Sequence, residues 1–462
     1  FSIGKINNNI HYGDYYSTAY WSLQHFITQI FPKKYQIEIA HLINLTVSLG
    51  AVFGIGKLTK EIFNKKVGKI AFLILFFYPA FFGHMAMNSK DTILAFCHVW
   101  IFYLLIRYLK QQHIKVKTKQ YIISIAILSA IATGIQLVFL GSLITILIFV
   151  IVDILFLKKF TTKNFSKKKF ILDLSKCFLI FYLVLIFFWN ETHSNIFTLP
   201  LSYFWENIVG TNWRGWPYTL LNGDYYFSLH VSKFYLLINL LYKSPEFFLL
   251  CYIIFLYILL IKNNFFKNHF NFFNYKILIF LSIIILPNLA LIFVPYATYD
   301  GMRLFLWSLP YFCIIPALTI YFLLQNYRTV LNKSILGIIV VLIFYHLFNF
   351  FALSPYQYTY LNIFGSKSAS EKFENDYWGT SVKELVKKSS FLHEGGKLGV
   401  CGVNEQVVKR LLKKNKFNRV KIVNLQNDYD FIIMTNRTTW LDMNLSWDIK
   451  DKNKITNCFK KF

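Results

Sequence analysis

Long apolar stretches separated by short charged ones recur along most of this 462-residue chain. A hydrocarbon core of about 30 Å needs about 20 apolar residues per helical pass. Eight stretches meet or approach that length, at 38–56, 70–87, 91–107, 172–189, 236–261, 277–296, 304–324 and 335–353. A ninth, 121–157, is too long for one pass, so Gly134 and Gln136 mark a hairpin between two. The sequence therefore predicts an all-α polytopic membrane bundle of ten helices.

Composition agrees with a membrane protein and excludes other classes. The chain is 56% apolar and 15% charged, with 50 Phe and 30 Tyr. A soluble domain is usually about 25% charged and about 45–50% apolar. An ordinary soluble enzyme, a disordered protein and a disulfide-stapled secreted module are therefore excluded. The formal net charge of +27 does not indicate a nucleic-acid partner, because phosphate binding needs clustered surface charge rather than a high total.

Orientation follows from the placement of Lys and Arg, which favour cytoplasmic loops. One alternate set of loops, 57–69, 107–119, 158–169, 262–276 and 325–333, holds 21 basic residues. The other set, 1–36, 88–90, 134–136, 190–243 and 297–303, holds 8 although it is longer. The first set is therefore expected in the cytoplasm. The N-terminus, the 190–243 loop and everything after 354 are expected on the external face.

The chain is expected to divide near residue 354. Residues 1–354 form the transmembrane part, with external loops 1–36 and 190–243, and residues 355–462 are richer in charge. Thr380 or Ser381 is predicted to cap a helix through Phe391. Strand, helix and two further strands are predicted at 397–402, 405–414, 420–425 and 429–435, which indicates a small external α/β domain. Cys401 and Cys458 can pair only if this tail is exported, and free thiols are expected.

The segment Pro79–Asp91, PAFFGHMAMNSKD, is the first candidate site. A short external turn presents His84, Asn88, Lys90 and Asp91 at the start of the next helix, where the helix dipole favours a carboxylate. The alternative is structural. Asn88 or Ser89 then caps the helix, and Lys90 reaches the membrane interface.

The segment Thr298–Arg303, TYDGMR, is the second candidate. Asp300 and Arg303 flank Gly301 and are spaced for a local ion pair, which is the structural alternative. They are equally placed to aim a carboxylate and a guanidinium into a cleft, and Arg binds phosphate well through its two-pronged geometry.

Two weaker candidates lie in the 190–243 loop and near residue 41. The cluster TNWRGWPY places Arg214 among tryptophans, which suits a sugar ring or a phosphate. His41 lies near the external end of its helix, where a hydrogen-bonded buried His is the default. Tyr356, Tyr358 and Tyr360 alternate just after the last span and are predicted to be interfacial anchors.

Five motifs of this chain together resemble a bacterial group of multi-pass glycosyltransferases. They are PAFFGHMAMNSKDTILAF, AHLINL, YDGMRLFLWSLP, SPYQYTYLN and FENDYWGTS. This group has the GT-C fold, is family 39-like, and is related to protein O-mannosyltransferases and to the aminoarabinose transferases of lipid A. The resemblance covers most of residues 35–385. It implies a helical bundle that uses a polyprenyl-phosphate sugar as donor and works on the periplasmic side of the bacterial inner membrane.

The chain departs from the family pattern at three places. Ser89 stands where Pro is usual, and Gln136 stands where Arg is common. The family's main catalytic acid lies in the first external loop, after a first helix with which this chain does not begin. Asp14, in HYGDYY, is that acid only if the loop starts here. The expectation is that the acid precedes Phe1, so that the chain is truncated at its N-terminus.

The resemblance implies roles for the candidates. Asp91, Asp14 and Asp300 are the candidate catalytic carboxylates, and Asp91 and Asp300 are expected either to orient the acceptor or to hold a metal. Lys90 and Arg303 are expected to bind the phosphate, with Arg214 in reserve, and His84, Asn88 and His41 complete the substrate-binding set. No metal ligands are assigned, although a divalent ion remains possible as cofactor. The acceptor is a glycan, a lipid or a protein. The alternatives are a multi-pass transporter and an inactive relative of these enzymes.

Overall fold

The structure is a computed structural model. It describes residues 18–209, 216, 218–293, 296–365, 372–424, 427–435 and 437. The chain forms two compact units. Unit 1 takes the described residues of Phe1–Trp213, Phe247–Pro287 and Phe305–Phe344, and unit 2 takes those of Arg214–Glu246, Asn288–Leu304 and Tyr345–Phe462.

Helices make up most of the described chain. Before the first strand they are α1 Thr18–Gln29, α2 Gln36–Ile62, α3 Lys65–Phe76, α4 Pro79–Met85, α5 Asp91–Gln111, α6 Lys115–Ile135, α7 Phe139–Val152, α8 Lys167–Phe188 and α9 Leu199–Val209. After the hairpin strands β1 Tyr218–Leu221 and β2 Asp224–Phe227 come α10 Tyr235–Lys243, α11 Glu246–Ile261, α12 Asn263–His269, α13 Phe273–Phe293, α14 Leu309–Phe312, α15 Ile314–Gln325 and α16 Val330–Ala352. The last elements are α17 Val382–Lys388, β3 Gly396–Cys401, α18 Glu405–Lys414, β4 Val420–Val423 and β5 Phe431–Met434.

Each apolar stretch identified in the sequence is mostly helical in its described residues. The described residues contain seven single helices long and apolar enough to cross a membrane. Two bent pairs raise that number to nine: α3 with α4, bent by 68°, and α10 with α11, bent by 115°. Leu309–Gln325 is a shorter apolar helix. The hairpin predicted at Gly134 and Gln136 is confirmed, since α6 ends at Ile135 and α7 begins at Phe139.

The stretch 236–261, predicted as one helix, is broken near its start. Ser244 has an extended backbone and is followed by Pro245, and the residue before a proline disfavours helical geometry. The chain therefore turns between Lys243 and Glu246. This turn ends α10 on a lysine that is almost wholly buried.

Small residues allow the helices of unit 1 to approach closely. A Cβ placed on Gly68 of α3 would lie 2.6 Å from the backbone oxygen of Gly56 in α2. A Cβ on Gly50 of α2 would lie 2.7 Å from the ring of Phe96 in α5. Membrane helices associate largely through such close packing, because lipid tails are as apolar as the helix surfaces. At these glycines α3 and α5 pack closely against α2.

Unit 2 contains the three strands that follow residue 395. Strand β3 lies between β4 and β5 and is parallel to both, with Leu398 opposite Ile422 and Phe431. Helices α17 and α18 contribute to one apolar core with the sheet. The buried members of that core are Val382, Val386, Leu392, Leu398, Val408, Leu412, Phe417 and Ile433. The strands and helices predicted for this region are therefore present. The helix predicted through Phe391 ends three residues earlier, at Lys388, and the other described ends lie within two residues of their predictions.

The cysteines of the described chain fall into two groups. Cys97, Cys177, Cys251 and Cys313 are free. Cys401, at the end of β3, is disulfide-bonded, which corrects the expectation of a free thiol. Disulfides persist in exported domains and are rare in the cytosol.

Candidate functional site

The turn before α5 is organised by the side chain of Asn88. Its Oδ1 accepts hydrogen bonds from the backbone N–H groups of Lys90 and Asp91, each at 3.0 Å. Its Nδ2 donates to Oδ2 of Asp91 at 2.8 Å. Asn88 and Asp91 are both buried. The structural alternative placed Asn88 or Ser89 at the helix cap, but the cap residue of α5 is Lys90. Asn88 instead binds the backbone of the turn that leads into α5 and orients the Asp91 carboxylate.

The other residues of this motif are fixed by neighbouring helices. His84 is buried, and its Nδ1 lies 2.6 Å from the carbonyl oxygen of Ala80. His41 of α2 is exposed, contrary to the expectation of a buried His, and its Nδ1 lies 2.9 Å from the carbonyl oxygen of Ala86. Trp21 of α1 donates from Nε1 to Oγ of Ser89 at 2.9 Å, and the Lys90 ammonium lies 5.0 Å from the Trp21 ring centroid. The sequence-predicted residues around Asp91 therefore form one local group in unit 1.

The second candidate motif is a left-handed turn in unit 2. Asp300 and Gly301 have φ values of 57° and 63°. Oδ2 of Asp300, which is fully buried, accepts from the guanidinium of Arg303 and from Nη2 of Arg437, the latter at 2.8 Å. The local ion pair foreseen as the structural alternative for Asp300 and Arg303 is present. Arg437 is an additional partner that the sequence did not indicate.

Glu374 and Lys243 complete this group. Oε2 of Glu374 accepts from the backbone N–H of Asp300 at 2.7 Å and from Oγ1 of Thr219 at 3.2 Å. Lys243 and Glu374 are 4% and 3% exposed. A Cβ on Gly301 would lie 2.3 Å from Nζ of Lys243, so the ammonium lies directly against the turn. We call Lys243, Asp300, Arg303, Glu374 and Arg437 the Asp300 cluster.

The electrostatics of the cluster favour a protonated Glu374. Burial first, and then the nearby Asp300 carboxylate, raise the pKa of Glu374 from 4.5 to about 8, although Arg437 opposes the shift. Neighbouring carboxyl groups cannot both ionise without a cost in free energy. The two guanidinium groups bound to Asp300 favour its ionised form over that of Glu374. The proton is therefore assigned to Glu374.

Aromatic faces support both arginines. The Arg437 guanidinium lies 3.9 Å from the Trp216 ring centroid, and the Arg303 guanidinium lies 5.1 Å from that of Tyr299. Nη1 of Arg437 also donates to the carbonyl oxygen of Tyr377 at 3.2 Å. Planar guanidinium groups stack well on aromatic rings, which holds them in place without using all of their donors.

The tyrosines that follow α16 are not interfacial anchors as a group. Tyr358 and Tyr360 are buried. The hydroxyl of Tyr358 donates to Asp376, and that of Tyr360 donates to Glu246 at 3.2 Å. Tyr356 is half-buried and donates to Glu384 at 2.8 Å. All three hydroxyls bind carboxylates of unit 2. For Tyr358 and Tyr360 the reason is burial, because a buried phenol needs a hydrogen-bond partner.

The remaining predicted residues divide as follows. Asp14 and Arg214 lie outside the described residues. Asp91, Lys90, His84, Asn88 and His41 belong to unit 1, and Asp300 and Arg303 belong to unit 2. In the described part of the chain no group of three or more His, Cys, Asp or Glu side chains could hold a metal ion.

Sequence reasoning missed Lys243, Glu374 and Arg437. Glu374 lies in FENDYWG, a motif that carries two acids between aromatic residues, and this was the available signal. Lys243 ends an apolar helix just before Pro245, where a buried cation is unusual. Arg437 gave no sequence signal, because its partner Asp300 is 137 residues away.

Comparison with known proteins gives distant likenesses. No family model matches the chain. No curated protein matches it either. Among solved structures it is similar to the oligosaccharyltransferase of Archaeoglobus fulgidus tethered to an acceptor peptide with an NVT sequon, at 14% identity and a TM-score of 0.42, over 81% of this chain and 49% of that one.

The apo form of the same enzyme is similar at 12% identity and a TM-score of 0.41, over 82% of this chain and 50% of that one. This chain therefore spans about half the length of that enzyme.

Proposed function

We propose that this protein is a membrane glycosyltransferase of GT-C type. It moves a sugar from a polyprenyl-phosphate donor to an acceptor hydroxyl on the external side of the membrane. The observation that carries the proposal is the buried Asp91 carboxylate at the start of a 21-residue apolar helix, oriented by Asn88 and adjacent to Lys90. Ionisable groups are costly at the mouth of a membrane helix and tend to be retained for function.

The chemistry follows from the bond that must break. The acceptor oxygen attacks the anomeric carbon of the donor sugar, and the bond between that carbon and the phosphate oxygen breaks. The hydroxyl proton passes to a carboxylate, for which we propose Asp91, and polyprenyl phosphate leaves with the bonding electron pair. Lys90 is proposed to stabilise the charge on the leaving phosphate. Base assistance of this kind is worth about 10²–10⁴-fold in rate.

Asp300 suits a different role from the one predicted from sequence. A general base must reach a substrate proton with an available lone pair. Oδ2 of Asp300 is engaged by two guanidinium groups, and its Oδ1, which has no hydrogen-bond partner among the described residues, is buried. The side chain is 0% exposed, so neither oxygen is accessible to a substrate hydroxyl. We therefore assign Asp300 to holding the two arginines rather than to proton transfer.

The asymmetry of Lys and Arg between the two sets of loops supports an external site. The turn that carries Asp91 lies in the set with 8 basic residues rather than 21. The disulfide at Cys401 supports export of unit 2, since such bonds persist outside the cytosol.

The test is release of polyprenyl phosphate from a labelled polyprenyl-phosphate sugar by the full chain in lipid nanodiscs. A membrane extract supplies glycan, lipid and protein acceptors. Release is expected from the wild type and not from Asp91→Asn. Asp173→Asn is the matched control, because Asp173 is also buried and also accepts a side-chain hydrogen bond, from Tyr108 at 3.0 Å. Equal release from the wild type and Asp91→Asn contradicts the assignment of Asp91.

A transporter is the competing function. It predicts solute uptake into proteoliposomes without release of polyprenyl phosphate. Transporters place ionisable residues near the bilayer midplane. Asp91 instead begins α5, and Asp173 lies in the second turn of α8.

A further inference from the structure

The Asp300 cluster concentrates positive charge in the interior of unit 2. It contains three cations, Lys243, Arg303 and Arg437, and two carboxyl groups, Asp300 and Glu374. Its formal charge is +1 with both carboxyls ionised and +2 with Glu374 protonated. Buried charges are costly unless they are paired, so an excess of this kind calls for a counter-ion.

Lys243 is the member whose charge is least compensated. Its side chain is 4% exposed, and within the described residues its ammonium forms no ion pair with a carboxylate within 4 Å. The nearest described carboxyl groups, Glu374 and Asp300, belong to the cluster itself. The Asp300 carboxylate already binds two arginines. The Glu374 carboxyl group accepts hydrogen bonds from Thr219 and from the Asp300 backbone.

Both arginines are held in place, and Arg437 keeps a donor without a partner among the described residues. Asp300 fixes both guanidinium groups through one oxygen, and aromatic rings support their faces. The side chains of Arg303 and Arg437 remain 16% and 17% exposed, so part of each is reachable from outside. In the described part of the chain Nε of Arg437 is buried without a hydrogen-bond partner.

We propose that the Asp300 cluster is a binding site for a phosphoryl anion, in which Lys243 and Arg437 are ligands together with Arg303. A phosphate monoester carries about two negative charges and three acceptor oxygens. It therefore matches two guanidinium groups and one ammonium group better than a carboxylate, which carries one charge and two oxygens. Arg437 follows strand β5, so the α/β part of unit 2 supplies one of the ligands. Asp300 and Glu374 are positioning residues that hold the turn and the arginines.

The anion has two sources, free phosphate and the phosphate headgroup of a polyprenyl lipid. The lipid source rests on the proposed function, whereas the anion site does not. Two binding assays on the purified full chain separate the sources. In one, labelled inorganic phosphate or pyrophosphate is titrated in detergent by equilibrium dialysis. In the other, polyprenyl phosphate is incorporated in nanodiscs and its binding is followed by native mass spectrometry.

We expect saturable binding in at least one assay. The assay in which binding is seen shows whether the anion is free phosphate or the lipid headgroup. Lys243→Met and Arg437→Gln are each expected to weaken it about tenfold or more, because each removes a charge-assisted contact. The matched controls Lys233→Met and Arg419→Gln change exposed side chains of unit 2 and should bind like the wild type. Arg437→Lys keeps the charge without the fork and should show an intermediate loss.

Folding of each variant is followed by cooperative thermal unfolding without ligand. Ligand should then raise the unfolding temperature only of those folded variants that bind it. If Lys243→Met does not fold, Arg437→Gln and Arg437→Lys decide. No saturable binding by folded wild-type protein in either assay overturns the proposal, as does equal binding by folded Arg437→Gln. Anion binding without sugar transfer leaves this site standing and removes the proposed function, and sugar transfer without anion binding does the reverse.

Discussion

Two buried aspartates, one in each compact unit, are held in different ways. Asp91 in unit 1 accepts a hydrogen bond from the Asn88 side-chain amide, within a turn of the same short motif. Asp300 in unit 2 accepts from two guanidinium groups, one of them 137 residues away in the chain. The first arrangement orients a carboxylate, and the second uses a carboxylate to assemble cations. Residues that look equivalent in the sequence therefore suit proton transfer in one unit and anion binding in the other.

The largest effect is expected from Asp91→Asn, which keeps the shape of the side chain and removes its basicity. Polyprenyl phosphate release should fall about 10²–10⁴-fold, while the unfolding temperature changes little. Asp173→Asn should keep wild-type turnover. A loss of turnover in both variants, or in neither, would contradict the proposal that Asp91 accepts the acceptor proton.

Asp300→Asn is expected to act on stability instead. It leaves Arg303 and Arg437 in place without their shared carboxylate, and breaking a buried ion pair in this way costs about 3–5 kcal/mol. Glu61→Gln is the matched control, because Glu61 also binds two cations, Arg107 at 3.2 Å and Lys110 at 2.8 Å, but is 19% exposed. That variant should cost about 1 kcal/mol or less. Equal losses, measured by tryptophan fluorescence during thermal unfolding, would show that Asp300 does not organise unit 2.

Glu374 gives unit 2 a pH dependence. Its pKa of about 8 in the folded protein exceeds its ordinary 4.5, so the folded state holds a proton that the unfolded state releases. The stability from this group is complete below pH 4.5 and is lost as the pH rises through 8. Glu374→Gln mimics the protonated form, and one unit of pKa shift corresponds to about 1.4 kcal/mol.

The unfolding temperature of the wild type should therefore fall relative to Glu374→Gln between pH 5 and pH 8. The two proteins should be closest at the acid end of that range. Parallel profiles for both proteins would mean that Glu374 is ionised in the fold. If the difference in unfolding temperature widened toward low pH instead, folding would lower the pKa of Glu374 rather than raise it.

The smallest effect is expected from Gly301→Ala. Gly301 has a left-handed φ of 63°, which costs an alanine about 1–2 kcal/mol, and the added Cβ would press on Nζ of Lys243. Gly337→Ala is the matched control, because it lies in α16 with nothing within 4 Å of the added Cβ. That change should be neutral or stabilising, as alanine favours a helix over glycine by about 1 kcal/mol. Similar shifts in unfolding temperature for both variants would contradict the role of this turn.

Much of the helical architecture could be predicted because an apolar run long enough to cross a bilayer has few other options. The sequence predicts one continuous helix over 236–261, which is wrong, because the chain breaks between α10 and α11. Pro245 marks this break, but the apolar residues continue on both sides of it. The helix–strand order after residue 380 was also predictable. Its alternating apolar residues and capping side chains act locally, as at Asn404 before α18.

The two sites differed in how much of each the sequence revealed. The residues Asn88 to Asp91 lie within one motif, and in the described part of the chain the hydrogen bonds of Asn88 link residues at most four apart. The Asp300 cluster joins residues 74 and 137 positions apart, so only tertiary structure could show that Glu374 and Arg437 meet Asp300. The pairing of Arg303 with Asp300 could be predicted because the two residues are three positions apart.

Sidedness is the central claim, and labelling of single cysteines tests it most directly. The background replaces the free cysteines Cys97, Cys177, Cys251 and Cys313 with alanine and serves as the blank. Lys233→Cys in unit 2 and Lys117→Cys in the basic 107–119 loop place one thiol at each predicted face, at exposed positions. A membrane-impermeant maleimide should label Lys233→Cys in intact spheroplasts and Lys117→Cys only after permeabilisation. Labelling of Lys117→Cys in intact spheroplasts, with Lys233→Cys protected, would contradict an external site.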